Sequence, residues 1–185
     1  MKSTVKREQV LLYGLGQETE RGARLHTLLQ ELRIPAREVR ATELGETLGA
    51  VAGYPGYART GIPYEGSAQE EPFLVMRDLD GKRLDELLRR MREEGIGPIP
   101  LKAVVTATNR DWTFLALMDE LREEHRVMGA WRQLQQLAAQ PDEGRMGSSP
   151  SYRSAIENAR AYLSSGEQPT PEGIFQTLAA IENAE

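Results

Sequence analysis

The fold is decided by the stretch Leu101-Lys-Ala-Val-Val-Thr-Ala-Thr-Asn-Arg-Asp-Trp-Thr-Phe114, in which a short apolar segment runs into a dense polar turn. Beyond the turn, apolar residues recur at helical spacing, so the stretch predicts a strand followed by a long amphipathic helix. Turns of this kind, between a strand and a helix, are where open α/β sheets bind their ligands. The sequence therefore predicts an α/β domain with a binding edge near residues 106–112.

The rest of the first 140 residues repeats this pattern. Residues 10–13 and 73–76 are short apolar runs that predict buried strands, whereas residues 36–40 form a weaker, polar strand that is typical of a sheet edge. Alternating strands and helices predict a small, mainly parallel four-stranded sheet flanked by helices. A flavodoxin-like order, 2-1-3-4, is favoured because it places the polar strand at one edge. A thioredoxin-like arrangement is the runner-up.

The chain beyond the sheet predicts a helical appendage. A long helix is expected from residue 111 to about 139, and its distal half carries an apolar stripe formed by Met128, Trp131, Leu134 and Leu137. Residues 141–150 have the composition of a linker, and two short amphipathic helices follow. We therefore predict an α/β domain at 1–140, a linker at 141–150 and a helical hairpin at 151–185. An isolated hairpin of this size is unstable, so we expect it to cover the distal stripe, in the same chain or in a partner of a homo-oligomer.

Composition excludes several function classes. The chain has 185 residues, a net charge of −5, a pI near 5.3 and no cysteine. The acidic balance makes nucleic-acid binding unlikely, and the absence of cysteine excludes disulfides and thiolate chemistry. No segment approaches the roughly 20 apolar residues of a membrane span, and the first residues do not resemble a signal peptide. We therefore expect a cytoplasmic protein without a membrane partner.

The candidate ligand-binding residues come from three loops. In a parallel sheet the loops after strands one, three and four would converge at one edge, each opening a helix whose N–H groups attract anions. Arg21, Lys82 and Arg110 would add positive charge, Trp112 would stack on a flat ligand, and Asn109 would orient it. A structural explanation competes with this one, because Thr108 and Asp111 have the spacing of a capping box at a helix start. The same structural explanation would make Trp112 a core residue of the first helical turn.

The remaining motifs carry no recognisable chemistry. Gly14-Leu-Gly16 with Gly22 does not fit the dinucleotide pattern, and the acidic run at 78–80 lacks the spacing of a calcium loop. His26 and His125 have no metal-ligand spacing, and no nucleophile with its base can be identified. The sequence thus predicts no metal, no cofactor and no named catalytic residue. The Gly- and Tyr-rich stretch 53–66 predicts disorder or passive packing, with a lid or partner surface as the alternative.

The segment 98–114 resembles a family of uncharacterised bacterial proteins. Its members carry a Pro-Leu-Lys-Ala-Val, Thr-x-Thr-Asn, Trp-Thr signature, which this chain matches at 100–113 with Ala107 in place of an expected proline. The resemblance covers roughly residues 72–125, extends more loosely from Val10, and leaves the tail after Pro141 outside. It implies a domain of unknown function and brings no activity.

Two functional hypotheses follow from the sequence. The first is a non-catalytic α/β binding or assembly module that associates through the distal stripe and the hairpin. The second is a protein, enzymatic or not, that binds a small anion or nucleotide-like ligand at the carboxyl edge of the sheet.

Overall fold

The computed structural model describes residues 7–184 and shows a mixed α/β protein with a four-stranded sheet. The strands are β1 (Gln9–Tyr13), β2 (Ala36–Glu38), β3 (Phe73–Arg77) and β4 (Leu101–Val104), in the spatial order β2-β1-β3-β4. The helices are α1 (Glu20–Glu31), α2 (Leu48–Val51), α3 (Gly81–Glu93), α4 (Phe114–Ala139), α5 (Glu143–Ser148), α6 (Pro150–Ser164) and α7 (Pro171–Glu182). Short 3-10 turns lie at Ala41–Glu43 and Asn109–Asp111.

The direction of the central strand pair differs from the prediction. β1 pairs with β2 and β3 pairs with β4 in parallel, but β1 and β3 are antiparallel, with Leu11 opposite Val75. The sheet thus consists of two β-α-β units, β1-α1-β2 and β3-α3-β4, whose strands run in opposite directions. The physical reason is the connection between the units, where α2 has only four residues and a long crossing loop (residues 53–72) replaces a helical crossover. The α/β class is confirmed, and the flavodoxin-like arrangement is not.

The antiparallel pair gives the sheet two unlike ends. At one end β1 and β2 finish and β3 and β4 begin, and we call it the Gly14 end after the first residue beyond β1. At the opposite end β3 and β4 finish and β1 and β2 begin, and we call it the Asp78 end. In a fully parallel sheet the loops that follow the strands would all lie at one end. Here the loop after β1 lies at the Gly14 end, and the loops after β3 and β4 lie at the Asp78 end.

The sheet is buried on both faces, which explains why β1 and β3 are continuous apolar runs. Alternate residues such as Leu12 and Leu74 pack against α1 and α3 on one face. The intervening residues, such as Leu11 and Val75, pack against α2 and the start of α4 on the other. β2 is short and partly exposed, as predicted for an edge strand.

The chain divides into two compact units, the first ending at Leu121 and the second beginning at Arg122, inside α4. In the second unit Trp131, Leu134 and Leu137 of the distal stripe pack with α5, α6 and α7 around one core, which also contains Tyr152, Ile156 and Leu178. The hairpin therefore covers these three residues within the same chain, whereas Met128 is exposed. The segment predicted as a linker contains α5, and the division into an α/β domain at 1–140, a linker at 141–150 and a hairpin at 151–185 stays a prediction.

No helix in the part of the chain that the structure describes is long and apolar enough to cross a membrane.

Candidate functional site

The two ends of the sheet separate the predicted site residues. Arg21 follows β1 and lies at the Gly14 end, where its Nη1 donates to the Pro98 carbonyl at 3.4 Å. Lys82, Asn109, Arg110 and Trp112 follow β3 or β4 and belong to the Asp78 end. The expected convergence of three loops is therefore wrong for the loop that carries Arg21, because β1 runs opposite to β3 and β4.

Asn109 closes the turn after β4. Its Oδ1 accepts from the Thr106 N–H at 2.8 Å, and its Nδ2 donates to the Val104 carbonyl at 3.0 Å. A side chain whose donor and acceptor both bond to the local backbone stabilises the turn. Asn109 is thus bound to its own loop rather than presented to a ligand.

The predicted capping box at Thr108 is not formed. Thr108 has helical backbone angles and makes no capping hydrogen bond, because the chain forms a 3-10 turn at Asn109–Asp111 before α4. The helix begins at Phe114, and the Thr113 hydroxyl accepts from the Ala116 N–H at 3.1 Å. Thr113 is therefore the residue that caps α4.

Arg110 belongs to a stack around Tyr54. The guanidinium carbons of Arg110 and Arg77 lie 4.0 Å and 4.2 Å from the centroid of the Tyr54 ring, which is the geometry of cation–π contacts. The Tyr54 hydroxyl donates to Asp78 Oδ1 at 2.7 Å. Burial, followed by this bond to Asp78, raises the pKa of Tyr54. The phenol therefore stays a neutral donor, and the stack anchors the start of the crossing loop to the sheet.

Asp78 is the acceptor that completes this cluster. Its Oδ2 accepts from Arg77 Nε at 3.2 Å and from the Arg7 backbone N–H at 3.3 Å. Burial acts to raise its pKa but is outweighed by the hydrogen bonds from Tyr54, Arg7 and Arg77, so the pKa of Asp78 is lowered. Its φ of +54° is unusual for a residue other than glycine. The left-handed turn directs the chain from β3 towards α3.

Lys82 and Trp112 lie outside the stack. Lys82 is exposed in the first turn of α3. Trp112 is 38% exposed, and its backbone carbonyl accepts from the Leu48 N–H at 2.9 Å. Its side chain is thus not the core residue that the capping interpretation required.

An open cleft at the Asp78 end brings together arginines that the sequence pattern did not indicate. It has a volume of about 600 Å³, and its charged lining residues are Arg7, Glu8, Arg37, Arg59 and Arg77. Residues 50–53 form another wall. These arginines come from the segment before β1, from β2, from the crossing loop and from β3. Since they have no common spacing, the polar character of β2 is the only signal of the cleft in the sequence.

Two of the cleft arginines share a carboxylate. Arg59 Nη1 donates to Glu43 Oε1 at 2.6 Å, and Arg37 Nη2 donates to the same oxygen. Burial acts to raise the pKa of Glu43, but the Arg40 N–H and the two guanidiniums outweigh it and lower the pKa. Arg37 also donates to the Val51 carbonyl at 2.7 Å, and Arg77 donates to the Ala52 carbonyl. Each guanidinium has five N–H donors, so these bonds leave donors for a ligand.

The middle of the crossing loop is held by a buried carboxylate. Glu46 is 4% exposed, and its oxygens accept from the Thr60 N–H, the Thr60 hydroxyl and the Gly61 N–H, each at 2.9 Å. These bonds, with that of the Thr60 N–H the largest contribution, lower the pKa of Glu46. The loop is further held by Tyr57, whose hydroxyl bonds to Asp111 and whose ring covers Gly49. Side-chain hydrogen bonds therefore hold the crossing loop to the residues around α2 and to the turn before α4.

Among residues 7–184, no group of three or more His, Asp or Glu side chains is arranged to hold a metal ion.

Comparisons with curated proteins and with solved structures give no match. Residues 72–128 match the model of a family described as a domain of unknown function, DUF3783, which confirms the resemblance predicted for residues 72–125. The segment that runs from β3 through α3 and β4 into α4 is therefore similar to DUF3783, a family whose function is unknown.

Proposed function

We propose that this protein is a non-catalytic binding module for a small anionic ligand, such as a phosphorylated or nucleotide-like metabolite, held in the arginine cleft at the Asp78 end. The observation that carries the proposal is the convergence of four arginines on one open cleft of about 600 Å³ in a chain of net charge −5. Planar guanidiniums bind phosphate and carboxylate oxygens in pairs, so several arginines in one concave site favour such a ligand.

The local charge balance supports this proposal. Four arginines line the cleft against one acid, Glu8. Glu8 is itself paired with Arg83 Nη2 at 3.2 Å, and Glu43 and Asp78 each bond to cleft arginines. Counting these seven side chains together with Arg83 and its second partner Glu86, five positive charges meet four negative ones. A net positive cleft in an acidic protein attracts small anions while the rest of the surface repels nucleic acid.

The cleft arginines differ in how much of the fold depends on them. Arg37 and Arg77 donate to the last carbonyls of α2, and Arg77 also supports the Tyr54 stack. Arg59 is the better probe, because its side chain is 46% exposed and its bonded partner is Glu43. Replacing Arg59 removes charge from the cleft and leaves the α2 carbonyls capped.

The test measures the melting temperature with pyrophosphate, ATP, citrate and inorganic phosphate at millimolar concentration, followed by titration calorimetry. A ligand that binds only the folded protein raises the melting temperature, and we expect this for at least one polyanion. Arg59→Gln should weaken binding about tenfold, as the loss of one charge-assisted hydrogen bond predicts. Added salt should weaken it further.

Arg24→Gln is the matched control. Arg24 is also an exposed arginine paired with a glutamate, Glu20, at 2.8 Å, but it lies on α1, away from the cleft lining. Its replacement should leave anion binding unchanged. The proposal fails if no polyanion is bound by the folded protein, or if both variants lose affinity equally.

The candidate ligand-binding residues predicted from the sequence have different roles in this proposal. Arg110 supports the cleft indirectly, because it stacks on Tyr54 opposite Arg77 and so helps to hold Arg77 in the cleft wall. Lys82 and Trp112 stay candidates for contacts outside the cleft lining at the same end of the sheet. Arg21 has no part in this site.

Self-association is a second proposal, favoured by the exposure of Met128. Leu134 is fully buried in its own chain, whereas Met128 is 49% exposed, and Trp131 and Leu137 are partly exposed. An assembly would therefore use Met128 with the exposed parts of Trp131 and Leu137. Light scattering on the wild type and Met128→Glu tests this, and a monomeric wild type at high concentration would end it. A cytoplasmic location and a bacterial origin stay predictions.

A further inference from the structure

A second pocket, which shares no lining residue with the arginine cleft, lies between the end of α3 and the edge strand β4. Its volume is about 410 Å³, and Leu88, Met91, Pro98 and Ile99 supply most of its apolar wall. Its charged lining residues are Arg92 and Lys102. A mainly apolar pocket of this size with a few polar groups is typical of small-molecule sites.

Lys102 occupies a position where the fold would accept an apolar residue. Its neighbours along β4, Leu101 and Ala103, face the core on the α2 and α4 side, so the alternation of the strand places Lys102 on the α3 side. Its Nζ donates to the Ile99 carbonyl. An ammonium group has three donors, so two remain for a ligand.

The pocket supplies no counter-charge of its own. Within residues 7–184, the residues that line it include two cations and no Asp or Glu. Burial lowers the pKa of Lys102, which shows that its charged form is stabilised less here than in water. An anion placed beside Nζ would restore that stabilisation, and an apolar tail would cover the wall that is otherwise in contact with water.

We propose that this pocket binds a small amphipathic carboxylate, such as a medium-chain fatty acid. The carboxylate bonds to Lys102 Nζ, with Arg92 at the rim, and the hydrocarbon chain lies on Leu88, Met91 and Ile99. A purely polar anion would leave this apolar wall wet, and a neutral apolar ligand would leave the ammonium without a counter-ion. The whole pocket lies inside the DUF3783 segment and is independent of the arginine cleft.

Titration calorimetry of the full chain with octanoate, and with octanol as its uncharged analogue, tests this proposal. Octanoate should bind the wild type, and Lys102→Met should weaken octanoate at least about tenfold, as loss of a charge-assisted bond predicts. Methionine is unbranched and fills the same apolar space, so the variant should fold. Octanol, which gives the ammonium no counter-ion, should bind the wild type more weakly than octanoate does, and Lys102→Met should not weaken it.

Two further variants separate this site from others. Lys82→Met removes an exposed lysine from α3 and should leave octanoate binding unchanged. Arg59→Gln should also leave it unchanged, since Arg59 lines the other cleft. The proposal is overturned if octanoate does not bind the wild type, if it binds Lys102→Met equally well, or if Arg59→Gln rather than Lys102→Met abolishes binding.

Discussion

The two ends of the sheet are built in different ways. At the Gly14 end the backbone itself closes the turn after β1, with the Thr19 side chain capping α1 and Gly22 packed directly against the carbonyl of Gly16. At the Asp78 end it is side chains that shape the surface. They form the Tyr54 stack and line the arginine cleft. The difference follows from strand direction. At each end of the sheet, the strands of one β-α-β unit begin where the strands of the other unit finish. The turn after β1 is therefore closed by backbone contacts, whereas the side chains at the Asp78 end leave the arginine cleft open.

The largest effect is expected from Gly22→Ala at the Gly14 end. A Cβ on Gly22 would lie 1.9 Å from the Gly16 oxygen and 2.6 Å from the Leu15 oxygen, and both are backbone atoms that cannot rotate away. Overpacking of this kind costs about 3 kcal/mol. The free energy of unfolding, measured in urea by circular dichroism, should fall by this amount.

Gly81→Ala is its control. Gly81 begins α3, and nothing lies within 4 Å of the Cβ it would gain, so the change should stay within about 0.5 kcal/mol. If Gly22→Ala unfolds at the same urea concentration as Gly81→Ala, the Gly14 end is not closed by the backbone contact described above.

The crossing loop that joins the two ends should be the next most sensitive feature. Glu46→Gln keeps the shape of the side chain but replaces a carboxylate that accepts three hydrogen bonds from Thr60 and Gly61. Loss of charge-assisted bonds should cost about 2 kcal/mol. Hydrogen exchange should show faster opening at residues 57–64 and unchanged protection in β1 and β3. Equal loosening of the whole sheet would contradict a local role for Glu46.

The same carboxylate gives the stability a defined pH dependence. The lowered pKa of Glu46 means that its contribution is fully present above the ordinary glutamate pKa of about 4.3 and is lost as the pH falls through the lowered value. Asp78 acts in the same direction because its pKa is also lowered. The wild type should therefore lose stability below about pH 4.3, and Glu46→Gln should lose less over that range. Parallel curves for the two proteins would show that Glu46 is not part of this dependence.

The sequence predicts the parts of this structure that depend on neighbouring residues. Thr19, Asp80 and Thr170 cap α1, α3 and α7 by accepting from a backbone N–H three residues further on, and Thr and Asp are residue types that helix starts prefer. The apolar runs of β1 and β3 are strands because both of their faces are buried. These features need only a few consecutive residues, so local spacing is enough to find them.

The sequence does not predict the features that depend on distant residues. The antiparallel pairing of β1 with β3 is decided by the long crossing loop, whose course has no sequence period. The cleft follows from that pairing, because it brings Arg37 of β2 to the same end as Arg77 of β3. The site residues predicted from the turn at 106–112 depend on the spacing of neighbouring residues alone. In the structure Asn109 has a local role, because it bonds to the backbone of its own turn.

A smaller effect tests the turn that leads into α4. Thr113→Ala removes the hydroxyl that accepts from the Ala116 N–H and should lower the free energy of unfolding by about 1 kcal/mol. Thr108→Ala is the matched variant, and it should change stability by less than about 0.5 kcal/mol because Thr108 makes no capping bond. Thermal or urea unfolding of the pair decides between them. If Thr108→Ala lowers the free energy of unfolding more than Thr113→Ala does, Thr108 and not Thr113 caps the helix.

The smallest effect is expected from Arg21→Ala, which probes the separation of the two ends directly. β1 has five residues, and at about 3.3 Å per residue its end, beyond which Arg21 lies, is roughly 16 Å from its start, where the cleft lies. This distance exceeds the Debye length of about 8 Å at physiological ionic strength, so the charge of Arg21 is largely screened from a ligand in the cleft. Calorimetric affinity for a polyanion should therefore change less than twofold, while Arg59→Gln weakens it about tenfold. If Arg21→Ala instead removes the binding, the anion sits at the Gly14 end, and the end closed by the backbone is the functional one.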